Sequence, residues 1–315
     1  MKVTPYTPQS RSRWDDFIAT SANGTFLHLR GYMDYHADRF TDCSLLIEDG
    51  PTGRLLAVLP ANREGDTLVS HRGLTYGGLI VGRRHLPDCR IAEVADTIAE
   101  WCKANGIHRI DYRPVPHIYH RYPSEADIAA LLHRGATFTG AVISSAIPLR
   151  EPRVDNESMR QAARKAVEAG LRTAYSTDLT AFHAILCECL HERHDAHPVH
   201  TLTELQLLAG RFPGHIRMLG VYSHQGTLCG GILLYITDTV VHTQYIATTA
   251  YGRQHGAIPL AVSALYKEFC GTKKQYLDFG TSVEPTTGQL NQGLSTQKYA
   301  LGARPTLYLR LTLPI

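Results

Sequence analysis

Between residues 276 and 303 the sequence reads YLDFGTSVEPTTGQLNQGLSTQKYALGA, which sets Asp278, Glu284, Asn291 and Lys298 between two short apolar pieces. A carboxylate in a partly apolar cleft has a raised pKa and can accept a proton, and a nearby lysine can hold the charge that develops on a leaving group. Asp278 at a strand end, Glu284 in a loop, and Asn291 and Lys298 on a polar helix are expected to converge on one small-molecule pocket, with Asp278 the first choice of base. In the helix LSTQKYALGA, Leu294 and Leu301 should face the core and leave Lys298 on or beside the open face.

Upstream, VVHTQYIATTAYGRQHGAIPL reads as a strand that runs into a glycine-containing loop and then a helix. Free N–H groups at a helix start attract phosphate, so Gly252, Arg253, Gly256 and Ala257 form a candidate anion seat, with His255 adding charge. The HTQYIAT strand can offer a backbone N–H near Tyr245 and Ile246 to an oxyanion, and Tyr245 can give up a proton. Tyr76, His242, Asn291 and Arg164 are the candidates for binding the acceptor. Arg160, Arg164 and Lys165 make a basic helical patch, with Arg160 and Arg164 one turn apart.

His191, His194, His197 and His200 recur at every third position, but HERH is one residue short of the H-E-x-x-H zinc motif and Pro198 ends the helix. They read as helix-end histidines favoured by the dipole, and no metal is expected.

The elements that position these groups occur twice. HRIDYRP…LLHRGATF overlays KQYLDFG…KYALGARP without gaps: Asp111 and Asp278 are 167 positions apart, as are Gly135 and Gly302. The helices IAEVADTIAEWCKANG and IPLAVSALYKEFCG match in the same register, with Ala95, Ile98 and Ala99 falling on Val262, Leu265 and Tyr266. Each half is expected to run strands, helix, strand, helix, strand. The closing strands are TFTGAVISSAIPL and PTLYLRLTLPI, and SHQG is a hairpin loop. Three helices, from Asn156 to about Gly170, in TDLTAFHAILCECLHERH and in TLTELQLLAGRF, lie between the halves, and the boundary should fall near Pro152.

With 315 residues, 43% of them hydrophobic, the chain can build two cores without staples. Its net charge of +3 is too small for a general nucleic-acid coat, and no DNA partner is expected. Seven scattered cysteines without a C-x-x-C pair suit a reducing compartment. The N-terminus lacks a signal-peptide core, and no run approaches the roughly 18 apolar residues of a membrane span, so the expected location is cytoplasmic, at most peripheral to a membrane.

The duplicated plan, the helix MRQAARKAVEAG and the segment DFG…QK…GA together resemble the FemABX-type members of the GNAT acyltransferase superfamily. NGTFLHLRGYMDYHADRF and GLTYGGLIV are similar to that family's N-terminal landmarks. The resemblance implies an α/β (α+β) chain of two tandem GNAT-like domains, with mixed, mostly antiparallel sheets and flanking helices. These are 1–152 and 153–315, the second opened by helices over 156–210. It also implies transfer of an acyl or aminoacyl group to an amine of a small-molecule or lipid-linked acceptor, such as a cell-envelope precursor or amino sugar.

GNAT enzymes draw the group from acyl-CoA, whose pyrophosphate sits at the loop matching residues 252–257. Fem-type enzymes draw it from aminoacyl-tRNA, and their lysine matching the QK pair, here Lys298, lies near the donor. Either donor is a co-substrate, so no tightly bound cofactor is expected. RQHGAI departs from the GNAT motif Arg/Gln-x-x-Gly-x-Gly/Ala, because Ile258 stands where the last small residue belongs. Acyl-CoA is the first reading, aminoacyl-tRNA the second, and a non-catalytic tandem-GNAT binding protein the third.

Overall fold

The computed structural model describes residues 1–83, 86–194, 197–284 and 287–315, without the side chains of Arg193 and His194. Contacts divide the chain into two compact units, Met1–Val142 with Leu307–Ile315, and Ile143–Thr306.

The first repeat supplies β1 (Lys2–Pro5), α1 (Arg11–Thr20), α2 (Arg30–Met33), β2 (Leu45–Glu48), β3 (Leu55–Leu59), β4 (Asn62–Glu64), β5 (Thr67–Val69), β6 (Ile80–Val81), α3 (Asp88–Ala104), β7 (Arg109–Tyr112), α4 (Ala126–His133) and β8 (Thr137–Pro148). The run RLLAVLPANREG, which reads as one piece, is broken at Pro60, whose fixed φ and missing N–H end the ladder. As a result β3 lies in the sheet β1-β2-β3-β6, whereas β4 pairs with β5. Ile91, Val94, Ala95, Ile98 and Cys102 recur at helical spacing on α3 and are buried in the core of this unit with Leu59, Ile110 and Leu311.

That core also buries a carboxyl group. The Tyr112 hydroxyl donates to Asp127 of α4 and accepts from the Leu79 N–H at 2.6 Å. Burial pushes the Asp127 carboxyl up to about 6, against the pull of the tyrosine hydrogen bond, while burial and the carboxylate raise the tyrosine pKa and keep it protonated. Below about pH 4 the carboxyl is neutral whether folded or unfolded. Between about 4 and 6 the unfolded chain releases its proton first, so stability falls with rising pH and then levels off. Asp127→Asn should therefore gain about 2 kcal/mol on wild type between pH 4 and pH 7, read as the difference between urea midpoints. A constant difference across that range would contradict it.

The second repeat supplies α5 (Glu157–Glu168), β9 (Arg172–Ser176), α6 (Thr180–His194), α7 (Leu202–Arg211), β10 (Ile216–Tyr222), β11 (Leu228–Ile236), β12 (Val240–Thr248), α8 (Ala250–Gln254), α9 (Ala257–Phe269), β13 (Tyr276–Thr281), α10 (Gln292–Ala300) and β14 (Arg304–Pro314). The strands of this unit run β8-β13-β12-β11-β10-β9, antiparallel except for β12 and β13. Ala261, Val262, Leu265 and Phe269 of α9 cover one face of the sheet, and α5 packs on α9. Thr201 and Glu204 cap α7 reciprocally, each accepting the other's backbone N–H. The edge strand β9 and the short α8 are additions to the three-helix reading of the linker and the single strand-to-helix loop.

The duplication is visible in the backbone. The 167-residue shift carries α3 to α9, β7 to β13 and α4 to α10, and Gly135 and Gly302 share the same left-handed conformation, φ 94° and 96°. The closing strands, however, are exchanged. Residues 144–148 of β8 pair with β13 in the second unit, and Leu311–Pro314 of β14 pair with β7 in the first. Sequence order puts a boundary near Pro152, whereas pairing starts the second unit at Ile143.

Candidate active site

Two departures from regular pairing shape the second unit. The parallel ladder of β12 and β13 runs from Val240↔Tyr276 to His242↔Asp278 and stops there, although β12 continues to Thr248. On its other edge β12 carries a bulge, because Leu233 and Leu234 of β11 face Tyr245 and Thr243 and leave Gln244 as the extra residue. Beyond the last parallel rung the two strands part.

A cleft of about 740 Å³ lies in this unit, lined by α5, residues 246–248 of β12, the turn before α9, the first turn of α9, Phe279, and α10. Lys165, Arg253 and Lys298 line it, with His255, and no carboxylate is among the described residues that do. Lys298 is 5% exposed. The expectation that it sits on an open helix face is therefore corrected: Leu294 is the exposed residue and Lys298 the buried one. Its ammonium tolerates burial because it donates to the carbonyls of Gly280 at 2.9 Å and Thr281 at 2.6 Å. Burial lowers its pKa to about 8, and the negative charge of Asp278 opposes that shift. An ammonium has three N–H donors, and two are used, so one remains for the cleft.

The first unit has the same place filled. The 167-residue shift carries the cleft residues Ile258, Phe279, Leu294 and Lys298 onto Ile91, Tyr112, Asp127 and Leu131, all of which line a cavity of only about 20 Å³. Leucine replaces lysine there, and side chains occupy the space that is open in the second unit.

Asp278, fully buried, accepts from Ser144 Oγ at 2.7 Å and the Gly280 N–H at 3.2 Å on one oxygen and lies 2.7 Å from His242 Nδ1 through the other. Glu284 accepts from Thr287 and Asn291 side chains, and Asn291 caps α10 through the Leu294 N–H, so this pair braces the loop and lies outside the cleft lining. Tyr245 lies 2.8 Å from His200 Nδ1, and burial raises its pKa. Ile246, Arg253, Gly256 and Ala257 line the cleft. Gly252 is buried on β11, where a Cβ would stand 2.1 Å from the Cys229 carbonyl oxygen.

Of the basic patch, Lys165 lines the cleft and Arg164 does not, while Arg160 pairs with Glu157 and Asp155. Tyr76 belongs to the first unit, buried at 4.6 Å from the Tyr119 ring and 5.7 Å from His28. Of the histidine series, His200 is buried against Tyr245, His197 is exposed, and the His194 side chain lies outside the described residues.

Within the basic patch the sequence points to Arg164, whereas Lys165 is the member that lines the cleft; the contrast between Lys298 and Leu131 is carried by the repeat register but is not evident without the cleft. No family model and no curated sequence matches the chain. Among solved structures, FemX superposes with a TM-score of 0.71 at 13% identity, covering 100% of this chain and 98% of FemX. The chain has the FemABX-like tandem-GNAT fold. L-PGS from Bacillus licheniformis shares this tandem-GNAT fold at a TM-score of 0.59 and 10% identity, covering 98% of this chain and 92% of its own. A tandem GNAT protein from the clavulanic acid biosynthesis pathway gives 0.51 and 14%, with 99% and 98% covered. Among the described residues of the tandem-GNAT chain, no helix is long and apolar enough to cross a membrane.

Proposed function

We propose that this chain is an N-acyltransferase that passes an acyl group from an activated donor, acyl-CoA first, to an amine in the cleft of the second unit. The observation that carries the reading is the open cleft beside the parted strands, lined by three cations and no described carboxylate. A donor with phosphates on its handle suits that charge. Its acyl carbonyl would lie toward the fork of β12 and β13, and backbone N–H groups near Tyr245 and Ile246 would face the oxyanion. The third N–H of Lys298 would hold the leaving group. The family resemblance implies that the amine belongs to a cell-envelope precursor or amino sugar.

One feature favours aminoacyl-tRNA as a second donor. Pro259 removes an N–H from the first turn of α9, and Gly256 packs against the Ala162 carbonyl of α5, which leaves fewer donors for a pyrophosphate. Melting-temperature shifts with acetyl-CoA, longer acyl-CoAs and aminoacyl-tRNA should separate these readings, because a donor at about 100 times its Kd stabilises by about 2.7 kcal/mol. Thiol release in the presence of an amine panel should follow for the donor that shifts. If no donor shifts or turns over, the transferase reading fails and the binding-protein reading replaces it.

A further inference from the structure

We infer that His242 is the base that takes the proton of the attacking amine, and that Asp278, braced by Ser144, is a positioning residue that fixes its tautomer. This deepens the acyl-transfer reading above and rests on it. His242↔Asp278 is the last rung of the parallel ladder, so the imidazole stands at the fork where β12 and β13 part, beside the cleft lining rather than in it and separated from Lys298 by Gly280 alone.

Both oxygens of Asp278 are occupied inside the protein, and the residue is 0% exposed, so the carboxylate cannot reach a substrate. A carboxylate only accepts, so Nδ1 of His242 carries the hydrogen and Nε2 presents its lone pair. Nε2 has no hydrogen-bond partner among the described residues, and the side chain is 13% exposed. Gly280 keeps the ring uncovered: its φ is +69°, and a Cβ there would lie 3.1 Å from His242 Cε1. The Gly280 carbonyl is in turn held by Lys298, so base and cation flank a single residue. The charged groups of this cluster are Asp278 from β13 and Lys298 from α10, and Tyr235 is the neighbour of His242 on β11.

The first unit is an internal comparison. Its equivalent parallel rung is Val69↔Asp111, an apolar side chain beside an aspartate that pairs with Arg109 and accepts from Thr312. A histidine on this rung occurs only in the unit that also has the lysine and the open cleft. A brace needed by the architecture itself would be present in both.

In the step, the amine nitrogen bonds to the acyl carbon and the carbonyl–sulfur bond of a thioester, or the carbonyl–oxygen bond of an ester, breaks. Nε2 takes the proton that the amine sheds and releases it to solvent, which balances the proton gained by the leaving group.

The test has two arms. In the first, the folded wild-type chain is treated with diethyl pyrocarbonate and modified histidines are mapped by mass spectrometry. His242 should be modified, and at least about tenfold more slowly in Asp278→Asn, whose amide can donate to Nδ1 and move the hydrogen to Nε2. In the second, His242→Ala should lower kcat by about 10²–10⁴-fold and regain turnover with added imidazole. An unmodified His242 in the folded wild type, or wild-type rates in His242→Ala, would overturn the assignment. A wild-type chain that turns over no donor, yet has a reactive His242 that depends on Asp278, overturns the acyl-transfer reading alone.

Discussion

Lys298→Ala lowers turnover by at least about 10²-fold, near 2.7 kcal/mol of lost transition-state stabilisation, and leaves the folded state intact. The ammonium is held by two carbonyls and keeps one donor for the cleft, so in the proposed transfer it would bear on the leaving group from a fixed position. With its pKa at about 8, the rate should fall as pH rises through that value and the charge is lost. Lys298→Arg, which stays charged, should move that alkaline limb upward.

Stability responds in the opposite sense. The folded lysine releases its proton at about 8 and the unfolded one near 10.5, so the unfolded chain binds more protons between those values and stability rises with pH. Burying the charged form costs about 3 kcal/mol at neutral pH, so Lys298→Met should be no less stable than wild type, because water in the cleft can solvate the freed carbonyls. Steady-state rates over pH and urea midpoints at pH 7 check both halves. An alanine variant with wild-type rates would remove Lys298 from the mechanism.

Gly256→Ala is expected to destabilise the second unit by about 3 kcal/mol or more, a fall of roughly 6–12 °C in Tm. Gly256 has φ +74° at the start of α9, and a Cβ there would stand 2.5 Å from the Ala162 carbonyl oxygen of α5. Alanine pays for the left-handed conformation and also pushes two helix backbones apart. The reduced freedom of the unfolded chain returns only about 0.4–1 kcal/mol. Because α5 lines the cleft, donor-induced melting shifts should shrink in the same variant. An unchanged Tm would mean that α5 can withdraw at no cost.

The glycine pattern of RQHGAI was legible in the sequence as room for close backbone approach, but not what approaches. At Gly256 it is another helix, and at Gly252 a strand carbonyl. The duplication was legible because helical periodicity and the Gly-Ala turns survive in register. The exchange of closing strands was not, because alternation in TFTGAVISSAIPL and PTLYLRLTLPI marks each as a strand without naming its neighbour.

The sequence marks Lys298 by type but not by the face it occupies. Periodicity sorts lysine with the polar residues, and the two carbonyls that accept it belong to a different element. Asp278 and His242 were both singled out, yet their contact depends on a parallel register that 35 intervening residues conceal. Glu284 and Asn291 carry functional-looking chemistry that serves the loop's own geometry.

Ser144, which donates to the aspartate of the second unit, lies on the closing strand of the first repeat. The last residues of the chain, 311–314, are stitched back beside Asp111 in the same way. Deleting either repeat would therefore take a strand out of the unit built mainly by the other.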